Sequence, residues 1–184
     1  MKKREIRYSV LVFILGILTL SAPAVFADDA ADESDAKITA TQTDRDLELK
    51  ACGTSDIKFS AKTDKKQHPL AEPQAGRAIV YVLRPTMMGN KVQTKLAMDG
   101  EWLGVNRGKN YFYFIAEPGE RNFCSKAENT SVLTMTLEPD KTYFLQQKIQ
   151  MGLMKARTSL VAMTEEEGQE KLADCHLSVF EEKR

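Results

Sequence analysis

The feature that most constrains the fold is a series of short β-prone segments that recur between turn residues over positions 77–163. The clearest pair flanks Asp99-Gly100: apolar and polar side chains alternate over residues 91–98, and the chain returns over residues 101–105. An Asp-Gly pair tolerates the positive φ angles of a two-residue hairpin turn. Strands at such short and regular spacing predict a mainly β protein, and the fold class that we expect is an antiparallel β-sandwich.

Other segments support the same fold. Residues 78–84 form a nearly continuous apolar run, which indicates a strand that is largely covered on both faces. Residues 111–116 are rich in aromatic side chains and precede a Pro-Gly turn. Near the C-terminus, Thr164 with Glu167 three positions later is a capping box, which predicts one short helix over residues 164–173.

The N-terminal segment has the pattern of a secretory signal peptide. Four basic residues within positions 1–7 precede an apolar run over residues 10–20, and small residues lead to Ala27. This order is typical of export, so we place cleavage after Ala27. The apolar run is shorter than the roughly 20 residues of a membrane span, and a retained N-terminal anchor is the alternative. We therefore expect a periplasmic or extracellular bacterial protein that has no stable membrane span after cleavage.

The charge is unevenly distributed, although 26 basic residues balance 26 acidic ones. Residues 28–50 are acidic and poor in large apolar side chains, so burial cannot offset the entropy lost on ordering them. We predict signal peptide 1–27, an acidic flexible linker 28–50 and a single β-sandwich domain 51–184. The zero net charge excludes a strongly basic protein, so we expect no nucleic acid as a partner. Lysines at positions 58–66 are interpreted as a solvated face, with an anion-binding patch as the alternative.

The three cysteines suit one disulfide and one remaining thiol in an oxidising compartment. We predict a Cys52–Cys124 bond, because it would join the start of the domain to a central strand. Cys175 would then be the remaining thiol. Cys52–Cys175 is the rival pairing, since sequence alone does not determine connectivity.

Signals for catalysis, a metal or a cofactor are weak. The sequence has neither a glycine-rich phosphate loop nor a Gly-x-Ser-x-Gly elbow. Its two histidines, His68 and His176, would need cysteine or carboxylate ligands beside them to form a zinc site. If Cys175 and His176 lie on a strand, they point to opposite faces. We expect no metal site, no cofactor and no enzymatic activity.

Aromatic side chains provide the candidate binding residues. Tyr111 and Tyr113 share one face of the strand predicted at residues 111–116. Together with Trp102, one of them would form an exposed platform for a sugar or a protein, since aromatic residues often mark binding surfaces. Packing of the same side chains in the core is the alternative.

Short motifs spread over the domain identify a family likeness: Ala51-Cys52-Gly53, Lys62-Thr63-Asp64-Lys65, Gln67-His68-Pro69, Gly76-Arg77-Ala78-Ile79-Val80-Tyr81-Val82, Asp99-Gly100-Glu101-Trp102-Leu103-Gly104, Tyr111-Phe112, Glu117-Pro118-Gly119-Glu120, Lys141-Thr142-Tyr143 and Glu166-Glu167-Gly168. With these motifs the sequence resembles the bacterial domain of unknown function 2846 family. Its Asp-Gly and Pro-Gly-Glu turns also resemble the Ig-like PEGA type of envelope β-sandwich. The resemblance implies an exported or surface-attached bacterial protein with no assigned catalysis.

These observations predict a non-catalytic binding module for a component of the cell envelope, whether protein, peptidoglycan or polysaccharide. This hypothesis predicts an exposed cluster around Trp102 and one of Tyr111 or Tyr113, and burial of that cluster would rule out the platform. A secreted enzyme or enzyme inhibitor is one alternative, and an enzyme would need a cleft where His68, His176 or Cys175 meets carboxylates. A purely structural spacer is the other alternative, for which no concave site is expected.

Overall fold

The structure is a computed structural model that describes residues 44–151 and 156–183. The predicted signal peptide and residues 28–43 of the predicted linker lie outside the described residues. Within the described ranges the chain forms ten strands and two helices. No helix in these ranges is both long enough and apolar enough to cross a membrane.

Helix α1 covers residues 44–52, beginning at the first described residue, and helix α2 covers Glu165–Ala173. The strands, in chain order, are β1 (Phe59–Asp64), β2 (Ala78–Arg84), β3 (Thr94–Met98), β4 (Glu101–Asn106), β5 (Asn110–Ala116), β6 (Gly119–Lys126), β7 (Thr130–Leu137), β8 (Thr142–Met151), β9 (Ala156–Met163) and β10 (His176–Glu182).

The strands form two sheets, and the predicted β-sandwich is confirmed. The larger sheet has the order β1-β10-β5-β2-β8-β9, and the smaller has the order β4-β3-β6-β7. Most neighbouring strands are antiparallel as predicted, but β2 pairs with β8 and β5 pairs with β10 in parallel. Parallel neighbours need long connections. Between β2 and β8 the chain builds β5 and the whole smaller sheet, which the local turn signals did not predict.

Hydrophobic side chains fill the space between the sheets and also cover the outer face of the larger sheet. Strand β2 is buried along its whole length, as predicted, because its side chains face these two layers alternately. On the outer face Leu172 of α2 packs against Tyr81 and Phe144. Helix α2 approaches so closely that a Cβ on Gly168 would lie 2.1 Å from Cγ of Phe144. The predicted cap is also confirmed, since the main-chain N–H of Glu167 donates to Oγ1 of Thr164.

Helix α1 lies mostly on the N-terminal side of the predicted domain boundary at residue 51. The linker was predicted to reach residue 50, but residues 44–52 are helical. The last helical residues, Ala51 and Cys52, are buried against the smaller sheet. Gly53 follows with a φ of +74°, and its N–H donates to the carbonyl of Leu49 at 2.9 Å. Burial of these two residues and the glycine that follows the helix end stabilise a helix whose other side chains are mostly polar.

Candidate functional site

A cleft of about 470 Å³ lies at one end of the sandwich, where four separate segments meet. These segments are the end of β1, the loop after β2, the turn between β4 and β5, and the junction between α2 and β10. The charged and titratable side chains that line the cleft are Lys65, Lys91, Arg107, Lys109, Asp174 and His176. The fold thus gathers residues that are up to 113 positions apart in the chain, from Thr63 to His176.

Main-chain hydrogen bonds hold these segments side by side. The N–H of Lys109 donates to the carbonyl of Arg84 at 2.9 Å, and the N–H of His176 donates to the carbonyl of Lys109 at 2.8 Å. Gly108 donates to the carbonyl of Asn90 at 3.3 Å. A Cβ at position 108 would lie 2.9 Å from Cα of Asn90 and 3.0 Å from the carbonyl oxygen of Thr86, so the close approach of the two loops requires glycine.

Arg84 fixes the loop after β2 from inside the protein. Its side chain is 0% exposed, and its guanidinium donates to the carbonyls of Met88 at 2.9 Å and Gly89 at 2.5 Å. It also donates to the carbonyl of Val92 and to Oγ1 of Thr94. Burial lowers the pKa of Arg84 to about 10, so the guanidinium is still charged at neutral pH. Among the described residues no carboxylate lies within ion-pair distance, and loop carbonyls compensate its charge.

The cleft is electropositive because four cations face one carboxylate. The ammonium of Lys109 lies 3.7 Å from a carboxylate oxygen of Asp174, and both side chains are partly exposed. Such an exposed pair contributes little to stability. Within the described ranges Lys65, Lys91 and Arg107 form no ion pair, and the buried Nε of Arg107 has no hydrogen-bond partner. The arrangement suits a carboxylate or phosphate group, which would accept hydrogen bonds from these cations.

The predicted aromatic platform is not formed. Tyr111 is 0% exposed, its hydroxyl donates to the carbonyl of Pro69 at 2.9 Å, and burial raises its pKa to about 12. Tyr113 is half-buried next to Tyr81, with ring centroids 5.6 Å apart. Trp102 lies on β4 in the other sheet. The prediction is wrong because the chain changes sheets between β4 and β5, which separates Trp102 from both tyrosines.

Trp102 borders a separate depression of about 320 Å³ beside helix α1. Its Nε1 donates to the carbonyl of Ser55 at 2.8 Å, and the ammonium of Lys95 lies 4.9 Å from the centre of its ring. The indole is half-buried and also packs against the Cys52 end of α1. These contacts give Trp102 a structural role, since it packs against helix α1, and part of its side chain still lines the depression.

The predicted disulfide is confirmed. Cys52 and Cys124 are bonded, with Cα atoms 5.1 Å apart, and the bond joins the end of α1 to β6. Cys175 is the remaining thiol and is buried on the outer face of the larger sheet. Burial raises its pKa to about 12, so it stays protonated near neutral pH and is a poor nucleophile.

The histidines occupy different surroundings. The ring of His68 packs 4.9 Å from the ring of Tyr111, whereas His176 lines the cleft with Asp174. Cys175, which lies between Asp174 and His176 in the chain, points to the opposite side, into the apolar cluster. Across residues 44–151 and 156–183, no three His, Cys, Asp or Glu side chains lie close enough to hold a metal ion.

Most of the cleft was not predicted from the sequence. Lys65 belongs to the lysine group for which an anion patch was the alternative, but Lys91, Arg107 and Lys109 were not singled out. A weak signal was present, because these three residues sit in turns beside asparagine or glycine. Loops of a sandwich gather at its two ends, but the pattern does not say which loops share an end.

Comparison with known proteins connects the domain to a family without an assigned activity. The model of the family described as "Protein of unknown function (DUF2846)" matches residues 74–159, so the resemblance seen in the sequence is confirmed. An uncharacterized protein of Haemophilus influenzae is 25% identical over 134 residues, which cover 72% of this chain and 79% of the relative. No solved structure matches the chain. The finer likeness to PEGA-type domains finds no support in these comparisons.

Proposed function

We propose that the protein is an exported bacterial binding protein whose basic cleft binds anionic groups of a cell-envelope component without catalysing a reaction. Two features support export. Residues 1–27 have the order of a signal peptide, and the Cys52–Cys124 bond suits an oxidising compartment. The component carries carboxylate or phosphate groups, as an acidic protein, peptidoglycan, a polysaccharide or an anionic lipid surface does.

The observation that carries this proposal is the convergence of Lys65, Lys91, Arg107 and Lys109 on one cleft that holds a single carboxylate. Cations in a concave site reinforce one another's field and attract anions more strongly than the same charges scattered over a surface. The volume of about 470 Å³ is within the range of roughly 300–1,000 Å³ that is usual for small-ligand sites. A purely structural spacer would not need such a site.

The surroundings of the reactive groups favour binding over catalysis. Cys175, with its raised pKa, faces the core, away from His176. A nucleophilic mechanism needs a nucleophile and a base within hydrogen-bonding reach, and this pair does not supply one. The cleft instead offers fixed positive charge.

Isothermal titration with pyrophosphate and with an oligoglucuronate of defined length tests the proposal. We expect Lys91→Gln/Lys109→Gln to weaken binding at least tenfold, because removing two charges costs roughly 1 kcal/mol each in a partly exposed site. The matched control is Lys58→Gln/Lys141→Gln, which removes two exposed lysines at the other end of the larger sheet. Equal losses in both variants, or no binding by the unaltered protein, would contradict the proposal.

A further inference from the structure

Two consecutive methionines project into solvent beside the basic cleft. Met87 is 55% exposed and lines the cleft, and Met88 is 52% exposed. Two large apolar side chains in water next to a group of cations form an amphipathic tip. Exposed apolar groups that cluster in this way mark interaction surfaces more often than isolated ones do.

The fold holds this tip in place. The guanidinium of Arg84 binds the carbonyls of Met88 and Gly89 from below, and the N–H of Met88 donates to Oγ1 of Thr86 at 3.1 Å. Gly108 lets the neighbouring turn pack directly against the loop. A buried arginine with no carboxylate partner among the described residues is costly unless its donors are satisfied. Here the Nη1 and Nη2 groups donate to loop carbonyls and to Thr94, whereas the buried Nε has no partner among the described residues.

We propose that this tip, residues Met87 and Met88, inserts into the surface of an anionic phospholipid bilayer while Lys65, Lys91 and Lys109 bind the headgroup phosphates. The proposal rests on the proposed function, since it names the envelope component that the basic cleft recognises. The chemistry matches the two layers of a membrane surface. Methionine side chains are flexible and apolar and suit the upper acyl region, and lysine stems reach back to the phosphates.

The size of the tip favours a membrane over a protein partner. A specific protein interface buries about 1,200–2,000 Å², with an apolar centre much larger than two side chains. Peripheral membrane binding needs only a small inserted group together with several cations near anionic lipids. The tip and cleft provide this combination.

Flotation of the full chain with large unilamellar vesicles tests the proposal. One set contains equal parts of phosphatidylglycerol and phosphatidylcholine, and the other contains phosphatidylcholine alone. All variants keep the same N-terminal segment, so any contribution of the apolar run at residues 10–20 is common to them. The measured quantity is the ratio of binding to the anionic set over binding to the zwitterionic set, together with the partition coefficient for the anionic set.

We expect Met87→Gln/Met88→Gln to lower the partition coefficient on anionic vesicles about thirtyfold, from the burial of two half-exposed methionines. Lys91→Gln/Lys109→Gln should lower it by about fivefold for each charge removed. Leu47→Gln/Leu49→Gln is the matched control, since it removes two exposed apolar side chains on helix α1 and should leave binding unchanged. Met87→Leu/Met88→Leu keeps the tip apolar and should retain binding, which separates loss of insertion from loss of folding.

Pyrophosphate titration of the same variants separates the two proposals. Met88→Gln changes the one tip residue that does not line the cleft, so it should bind pyrophosphate as the unaltered protein does and should lower the vesicle partition coefficient about fivefold. If that variant also keeps its vesicle binding, or if vesicle binding shows no preference for anionic lipid while pyrophosphate still binds, membrane insertion is wrong and the anion-binding function stands. If the unaltered protein binds neither pyrophosphate nor anionic vesicles, both proposals fail. Loss of vesicle binding in a folded leucine variant would also contradict insertion, because leucine keeps the tip apolar.

Discussion

Removal of the Cys52–Cys124 disulfide should destabilise the domain more than any single change in the cleft. The bond closes a loop with a sequence separation of 72 residues. In the chain-entropy description, a crosslink that closes a loop of this length lowers the entropy of the unfolded chain enough to stabilise the protein by about 4 kcal/mol at 25 °C. A single domain is usually stable by only about 5–15 kcal/mol, so the loss would remove a large part of the margin.

The test is equilibrium unfolding in urea of the protein with Cys52→Ala/Cys124→Ala. Alanine is chosen because both positions are buried in an apolar cluster, where a serine hydroxyl would lack a partner. With a urea dependence of about 2 kcal/mol per molar, a loss of about 4 kcal/mol moves the midpoint down by about 2 M. We also expect faster amide hydrogen exchange over residues 44–52, because the bond joins helix α1 to strand β6.

Cys175→Ala is the control, since it removes a buried thiol and keeps the bond. It should cost far less than the double variant, and the reduced form of the unaltered protein should unfold as the double variant does. A midpoint shift below about 0.5 M, which corresponds to about 1 kcal/mol, would refute the crosslink argument. So would an equal shift in the Cys175 control.

Other groups give predictions of different kinds. Gln147 is wholly buried and joins the two sheets through hydrogen bonds to the side chains of Asn106 and Ser125. Gln147→Leu should therefore lower the free energy of unfolding, measured in urea titrations, by about 2–3 kcal/mol. It should leave the affinity for pyrophosphate unchanged. Burial acts to raise the pKa of Asp99, but hydrogen bonds from its neighbours on β6 outweigh it, and the pKa lies below the ordinary 3.8. The stabilisation by ionised Asp99 is therefore present above pH 3.8 and is lost as the pH falls through the pKa of Asp99 in the folded protein. The difference in unfolding free energy between the unaltered protein and Asp99→Asn should shrink below about pH 4. A difference that does not depend on pH would contradict this. The pKa of Cys175 is raised to about 12, so iodoacetamide at pH 8 should alkylate this thiol at least a hundredfold more slowly in the folded protein than in urea. Mass spectrometry follows the reaction. Similar rates in the two states would show that the thiol is accessible.

Local chemistry made several elements predictable. The Asp99-Gly100 hairpin depends on two residues that adopt positive φ, and both do so, at 50° and 88°. The cap at Thr164 depends on a hydroxyl three positions from an N–H donor. In each case the interacting groups are neighbours in the chain, so the amino-acid pattern carries the information.

Elements stabilised by distant partners were not predictable in this way. Strand β10 was not predicted from the sequence, because the residues of β1 and β5 that pair with it lie more than 60 positions away in the chain. Helix α1 lies in a segment predicted to be a linker, and it is held by burial of its end and by the disulfide. The aromatic platform failed for the same reason, since periodicity assigns faces within a strand but does not assign strands to sheets.

The sequence by itself determined the β class, the hairpin and the helix cap, because these depend on local conformation and residue type. It also led to a correct prediction of the disulfide and to a family resemblance that the family model matches over residues 74–159. Only the tertiary structure decided which loops meet. Strand order brings Lys65, Lys91, Arg107 and Lys109 to one end of the sandwich, and Arg84 fixes the neighbouring loop with its methionines outward. The physical reason is that the field of a charged cleft depends on distances in space, which strand pairing sets and chain spacing does not.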